Sequence, residues 1–187
     1  MDNFGVVLSR LDYNAVMQTL NDALSKLSPT LRGRGYYLTC AESCTGGLLG
    51  HLITNTAGSS NYFIGGFLTY SNQAKEQFLG VQPETLRLHG AVSRETVLEM
   101  ARGARTAFGS RFPMERILAL STSGIAGPDG GSPEKPVGTV WIGLSSDTAE
   151  RAEVFHFTGT REAIKLQSAV AALRMLTREL GLEESIP

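Results

Sequence analysis

The chain has 187 residues, 42% of them hydrophobic and 19% charged, with a formal net charge of -1. That suffices for one domain with a substantial core and is the balance of a folded globular protein, not a disordered one. The near-zero charge offers no global attraction to nucleic acid or an anionic membrane, and no apolar run approaches the ~18–20 residues that span a bilayer. The N-terminus lacks the basic and apolar regions of a signal peptide. Two cysteines, Cys40 and Cys44, are too close along a strand and turn for an unstrained disulfide, and no metal framework accompanies them. Reduced thiols in a cytoplasmic protein are the expectation.

Residues 1–10 read as a short arm. From Leu11 to Leu27 the apolar positions Val16, Leu20, Ala23, Leu24 and Leu27 recur at three and four, which predicts an amphipathic helix. Pro29 and the Gly33-Arg34-Gly35 cluster are expected to end it. A strand over 36–40 leads through Ala41-Glu42-Ser43-Cys44-Thr45-Gly46-Gly47 into a helix over 45–55. The run Phe63 to Tyr70 reads as a buried strand whose paired glycines, Gly65 and Gly66, mark a bulge or a close approach. Ser71-Asn72 begins a short helix through Leu79 that contains Lys75 and stops at Gly80. Pro83–Leu88 makes a further turn or two. Ser93 caps a helix running to about Gly109.

Ile117 to Ser121 reads as a short apolar strand. The loop that follows, Gly124 to Gly138, holds five glycines and three prolines. Val140–Leu144 and Ala152–Phe157 pair as a hairpin, and Thr160 to Leu180 forms a last long helix. Strands alternating with helices, then a closing hairpin, predict a three-layer α/β/α sandwich around a mixed sheet. The long helices at each end could pack on the core or on a second copy, so a homo-oligomer is left open.

Chemistry concentrates at the first strand–turn–helix. Ser43 reads either as a helix cap or as a nucleophile. Gly46 and Gly47 argue against a simple cap, because glycine in a first helical turn costs about 1 kcal/mol relative to alanine. They suit a ligand that presses on the backbone, and N–H groups at a helix start favour negative charge. The turn matches neither a G-x-S-x-G elbow nor a G-x-x-x-x-G-K-[ST] phosphate loop. Cys44 is a rival nucleophile whose pKa a helix N-terminus would lower. It lacks a histidine partner, His51 lying ~10 Å along the helix axis, and reads better as a packing residue. Without histidine, Ser43 needs another base. Lys75 follows Tyr70-Ser71-Asn72-Gln73 at a strand end, where α/β sheets build their sites. It is either a solvated surface lysine or a desolvated base. Lys26 and Lys165 fall near the polar faces of their helices. Ser121 to Gly131 is a stiff loop of small residues suited to a ligand. Arg161 opens the last helix, either as an anion fork or as a surface residue.

Taken together, Ala41-Glu42-Ser43-Cys44-Thr45-Gly46-Gly47, Tyr70-Ser71-Asn72-x-x-Lys75, Ser123-Gly124-Ile125-Ala126-Gly127-Pro128 and Lys135-Pro136-Val137-Gly138-Thr139-Val140 closely resemble the CinA C-terminal domain family, from about Leu11 to Leu180. The resemblance implies a nicotinamide-nucleotide amidohydrolase. Such an enzyme hydrolyses the carboxamide of nicotinamide mononucleotide (NMN) to nicotinate mononucleotide and ammonia, with Ser–Lys catalysis and neither metal nor cofactor. Carried over by motif, Ser43 is the nucleophile, Lys75 its base and Tyr70 a hydrogen-bonding helper. Thr45, Gly46 and Gly47 would supply oxyanion or substrate contacts. Ser123, Gly124 and Arg161 are further substrate-binding candidates, Arg161 and the glycine-rich loop for the phosphate. Two positions depart from the common pattern: Ser123 stands where many relatives have threonine, and Thr160 where many have an acid. Longer relatives carry an additional N-terminal domain that this length does not accommodate. The alternative function is a non-catalytic nucleotide- or partner-binding module linked to competence or DNA damage.

Overall fold

The computed structural model describes residues 13–182; the expected arm over 1–10 lies outside them. The elements run α1 (Tyr13–Arg34), β1 (Tyr37–Glu42), α2 (Leu48–Thr54), β2 (Phe63–Leu68), α3 (Asn72–Leu79), α4 (Pro83–His89), α5 (Arg94–Phe108), β3 (Ile117–Gly124), β4 (Thr139–Ser145), β5 (Glu150–His156) and α6 (Arg161–Glu179). The sheet order is β2-β1-β3-β4-β5. β1 pairs parallel with β2 and β3, and β4 pairs antiparallel with β3 and β5. Helices α1, α2 and α6 cover one face, while α5, flanked by α3 and α4, covers the other. The expected three-layer α/β/α sandwich with a mixed sheet is the observed fold.

Strand alternation builds both cores. Leu38 and Cys40 of β1 and Leu118 and Leu120 of β3 join Leu27, Leu31, Leu173 and Leu176 on the α1/α6 side. Ala41 and Ala119, one residue out of phase, meet Met100, Ala101 and Ala104 of α5. The α5 side is lined by small residues because the helix lies close. A Cβ on Gly143 of β4 would fall 2.6 Å from the Val97 carbonyl oxygen.

Three expectations change. Helix α1 does not stop at Pro29 but continues to Arg34. The stripe Leu20, Leu24, Leu27 and Leu31 runs through the proline, and Leu31 is fully buried. Burying a leucine stabilises by roughly 1.5–3 kcal/mol, comparable with the ~3 kcal/mol that an interior proline costs. The stop is Gly35, at φ 65°. Its N–H donates to the Arg32 carbonyl and that of Tyr36 to the Leu31 carbonyl, the paired bonds of a left-handed C-terminal cap. Strand β2 is an edge strand, half-exposed rather than buried. The expected bulge is present as a register shift between Leu38 and Thr39, and a Cβ on Gly66 would meet Cys40 Sγ at 2.6 Å. Finally, Ser121 to Gly124 belong to β3 and not to the following loop.

Candidate active site

The parallel strands β1, β2 and β3 end on one edge of the sheet, and the chemistry gathers there, as expected for an α/β fold. β1 runs two residues further than the sequence suggests, so Ala41 and Glu42 are strand residues. Pleating then sends Glu42 to the α2 side and Ser43 to the α3 side.

On the α2 side, the buried Glu42 carboxylate accepts three backbone N–H groups: Gly47 at 3.0 Å, Leu49 at 3.0 Å and Gly50 at 2.8 Å. The Cys40 thiol adds a fourth contact at 3.7 Å. Glu42 therefore fills the anion site at the start of α2 from within the protein. Helix α2 begins at Leu48, not Thr45, and the two glycines precede it with φ of 62° and 92°. They are required by a left-handed turn, and the supposed helix penalty does not arise.

On the α3 side, Ser71 caps α3 by accepting the Ala74 N–H, and Lys75 one turn on points inward, 1% exposed. Its Nζ donates to Ser43 Oγ at 3.1 Å, to the Thr69 carbonyl at 2.8 Å and, more weakly, to the Tyr70 carbonyl at 3.4 Å. All three acceptors are neutral. Burial pushes the Lys75 pKa down from its ordinary value, opposed only by the neighbouring Cys44. Lys75 is thus the desolvated lysine, not the solvated one. Cys44 is not activated. Burial raises its pKa to about 12, against the expectation of a lowered value, so it stays a protonated packing residue.

The remaining candidates are placed as follows. Gly46 N–H donates to the Ser43 carbonyl and Gly47 N–H to Glu42, so both already have acceptors. Thr45 N–H has none among the described residues. The Thr45 hydroxyl lies 2.8 Å from that of Thr122, whose carbonyl accepts Ser43 N–H at 3.0 Å. Thr122 was missed by sequence reasoning; a polar side chain at the end of an apolar strand was the available signal. Ser123 donates its hydroxyl to the Ala91 carbonyl at 2.7 Å, tying β3 to the α4–α5 connection. Gly124 is needed for strand packing, since a Cβ there would fall 2.5 Å from Val140 Cγ2. Among the described residues, no hydrogen bond joins either residue to Ser43 or Lys75. Tyr70 is divided: its carbonyl touches Lys75, while its largely exposed side chain reaches away to accept Arg161 Nη2 at 2.8 Å. Arg161 Nη1 donates to the Gly127 carbonyl at 2.6 Å. Thr160, in the position where an acid was noted as common, caps α6 by accepting the Ala163 N–H. The glycine-rich loop is pinned by Lys135, which donates to the His89 and Val92 carbonyls.

A family model described as "CinA C-terminal domain" matches residues 20–180. The chain belongs to that family. It is 48% identical over 161 residues to the "Nicotinamide-nucleotide amidohydrolase PncC" of Enterobacter agglomerans, covering 86% of this chain and 94% of that one. It is 47% identical to a "CinA-like protein" of Syntrophobacter fumaroxidans, spanning 93% of this chain but only 40% of that longer protein. Among solved structures, a "competence damage-inducible protein A (ComA)" from Klebsiella pneumoniae superposes with a TM-score of 0.80 at 32% identity, over 89% of this chain and 99% of that one. No helix among the described residues is long and apolar enough to cross a membrane.

Proposed function

We propose that this CinA-family chain is a nicotinamide-nucleotide amidohydrolase in which Ser43 attacks the carboxamide of NMN and Lys75 is its base. The observation that carries the reading is the 3.1 Å contact between Ser43 Oγ and a fully buried lysine that has only neutral partners. The relative named for this activity is matched along 94% of its length, which supports the substrate class.

The contacts suit each step. In its neutral form Lys75 keeps two N–H donors for the Thr69 and Tyr70 carbonyls and turns its lone pair toward the Ser43 hydroxyl. Ser43 Oγ bonds to the amide carbon as its proton passes to Lys75 Nζ. The carbonyl becomes an oxyanion, for which the Cys44 and Thr45 N–H groups, bonded to no other residue among those described, are the candidate donors of the turn. One such donor is worth about 2.7–4 kcal/mol in acyl-transfer sites. Collapse breaks the C–N bond, and Lys75 returns its proton to the departing ammonia. Water then enters by the same route: Lys75 takes its proton, the ester opens, and Ser43 recovers its hydrogen. Nicotinate mononucleotide leaves.

The test is ammonia release from NMN by the wild type, Ser43→Ala and Lys75→Ala. Loss of turnover in both variants, with NMN binding retained in Ser43→Ala, is expected. Full activity in either variant removes the dyad. Tight NMN binding by a wild type that releases no ammonia would instead indicate a binding module.

A further inference from the structure

Glu42 occupies the start of α2, so a negatively charged end of a substrate must be received elsewhere around Ser43. Two cations of α6 lie at that periphery, four residues apart and hence on one helix face. Arg161 is joined to the dyad through Tyr70, whose two ends touch Arg161 and Lys75. Lys165 reaches the nucleophile turn directly. A Cβ placed on Gly46 would fall 3.4 Å from Lys165 Nζ, and Gly46 itself is bonded to the Ser43 carbonyl.

We infer that Lys165 is a specificity-determining residue that, with Arg161, binds the phosphate of a phosphorylated substrate whose other end lies at Ser43. Three observations point this way. The Lys165 side chain is half-buried over the turn, and it makes no hydrogen bond or ion pair among the described residues. An ammonium so placed is short of an anion. Arg161 holds only neutral acceptors, the Tyr70 hydroxyl and the Gly127 carbonyl, which a phosphate can replace with shorter, charge-assisted bonds. The nearby carboxylate, Glu162, is exposed and makes no ion pair or hydrogen bond with either cation among the described residues. Its own N–H and the Thr160 hydroxyl hold its pKa down foremost, and Arg161 and Lys165 contribute less. A phosphomonoester carries about -1.5 to -2 at neutral pH, matched by two cations. Gly46 leaves the space beside Lys165 Nζ that a side chain would take.

The substrate identity rests on the amidohydrolase reading, but the anion site can be tested apart from it. Ribose 5-phosphate and ribose are titrated calorimetrically into the wild type, Lys165→Met and Lys165→Arg. Preference for the phosphorylated sugar is expected in the wild type. Lys165→Met should lose about 10- to 100-fold of its affinity for ribose 5-phosphate, the range of a charged hydrogen bond, with ribose unaffected. Lys165→Arg should stay within about threefold, because the charge is kept. Equal binding of ribose 5-phosphate by wild type and Lys165→Met, or no binding by the wild type, overturns the inference. If the sugar phosphate binds through Lys165 but NMN is not hydrolysed, the amidohydrolase reading falls and the anion site stands. If NMN is hydrolysed and Lys165→Met leaves its KM unchanged, the anion site falls and the reading stands.

Discussion

The two faces of the sheet at the end of β1 each bury a charge-bearing side chain, and they treat it in opposite ways. On the α2 face, Glu42 receives three backbone N–H groups and the positive end of a helix. On the α3 face, Lys75 receives two carbonyls and a serine hydroxyl and no counter-charge. A buried charge met by preorganised donors is a structural device. A buried cation denied an anion is pushed toward its neutral form, the direction that favours a base. Glu42, the last residue of β1, and Ser43, the first beyond it, thus meet opposite surroundings: Glu42 fixes the turn, and Ser43 faces a buried lysine that has no counter-charge.

Lys75→Met is the sharpest way to break this contrast. Methionine fills similar space without the charge. Turnover of NMN should fall by about 10²–10⁴-fold, the usual worth of a positioned proton acceptor, measured as ammonia release. Stability should rise, because a desolvated charge is removed from the folded state. The sign follows from the lowered Lys75 pKa. Below the folded pKa the lysine is charged in both states, and the desolvation penalty is present in full. As pH rises from the folded toward the unfolded pKa, the folded protein sheds the proton first and the penalty is relieved. The gain in Tm over wild type should therefore be larger at pH 6 than at pH 10. A loss of stability at both would mean that Lys75 is held as a favourable ion. For the same reason, the wild-type rate should climb with pH to a limb whose midpoint lies below the ordinary lysine value of 10.5. A pH-rate profile read from pH 6 to 10 checks this; a flat profile would separate the rate from the lysine.

Glu42→Gln tests the other face. The amide keeps one acceptor oxygen but turns an NH2 donor toward backbone N–H groups. Leaving such donors unmatched costs about 1–3 kcal/mol, or a Tm lower by about 2–12 °C in a chain of this size. Thermal melting checks the loss. At a temperature where the variant is folded, the pH-rate midpoint should match the wild type, since Glu42 does not contact Lys75. A displaced midpoint would show the two faces to be electrically coupled.

How much of this was legible beforehand divides along physical lines. The layers and the capped helices α3 and α5 follow from periodicity and from Ser71 and Ser93 at the helix starts, whereas the residues alone leave Ser43 and Lys75 each with two readings and the family resemblance pairs them. What was misread depends on tertiary burial or backbone handedness. Pro29 signals a stop, yet Leu31 two residues on is drawn into the core. Gly46 and Gly47 read as weakening a helix that in fact starts after them. Glu42 was passed over as a bystander, because only pleating shows which face it takes. Thr122, inside the Ser121–Gly131 stretch, and Lys165 are not singled out by the sequence because their relevance rests on contacts with segments far away along the chain.

The smallest effect is expected at Tyr70, where the motif implied a catalytic helper and the structure divides the residue. Tyr70→Phe removes the hydroxyl that Arg161 donates to but leaves the backbone carbonyl that accepts Lys75. The side chain is largely exposed, so stability should move by less than about 0.5 kcal/mol. If the hydroxyl belongs to the rim, kcat for NMN should stay within about twofold. KM should then shift no more than about tenfold, because Arg161 retains the Gly127 carbonyl and its own charge. A hydroxyl acting in proton transfer would instead lower kcat by at least about 10². That outcome would require Tyr70 to swing from Arg161 onto the dyad when substrate arrives, making the Arg161 contact a resting position. Steady-state kinetics on this single variant separates a rim residue from a catalytic one.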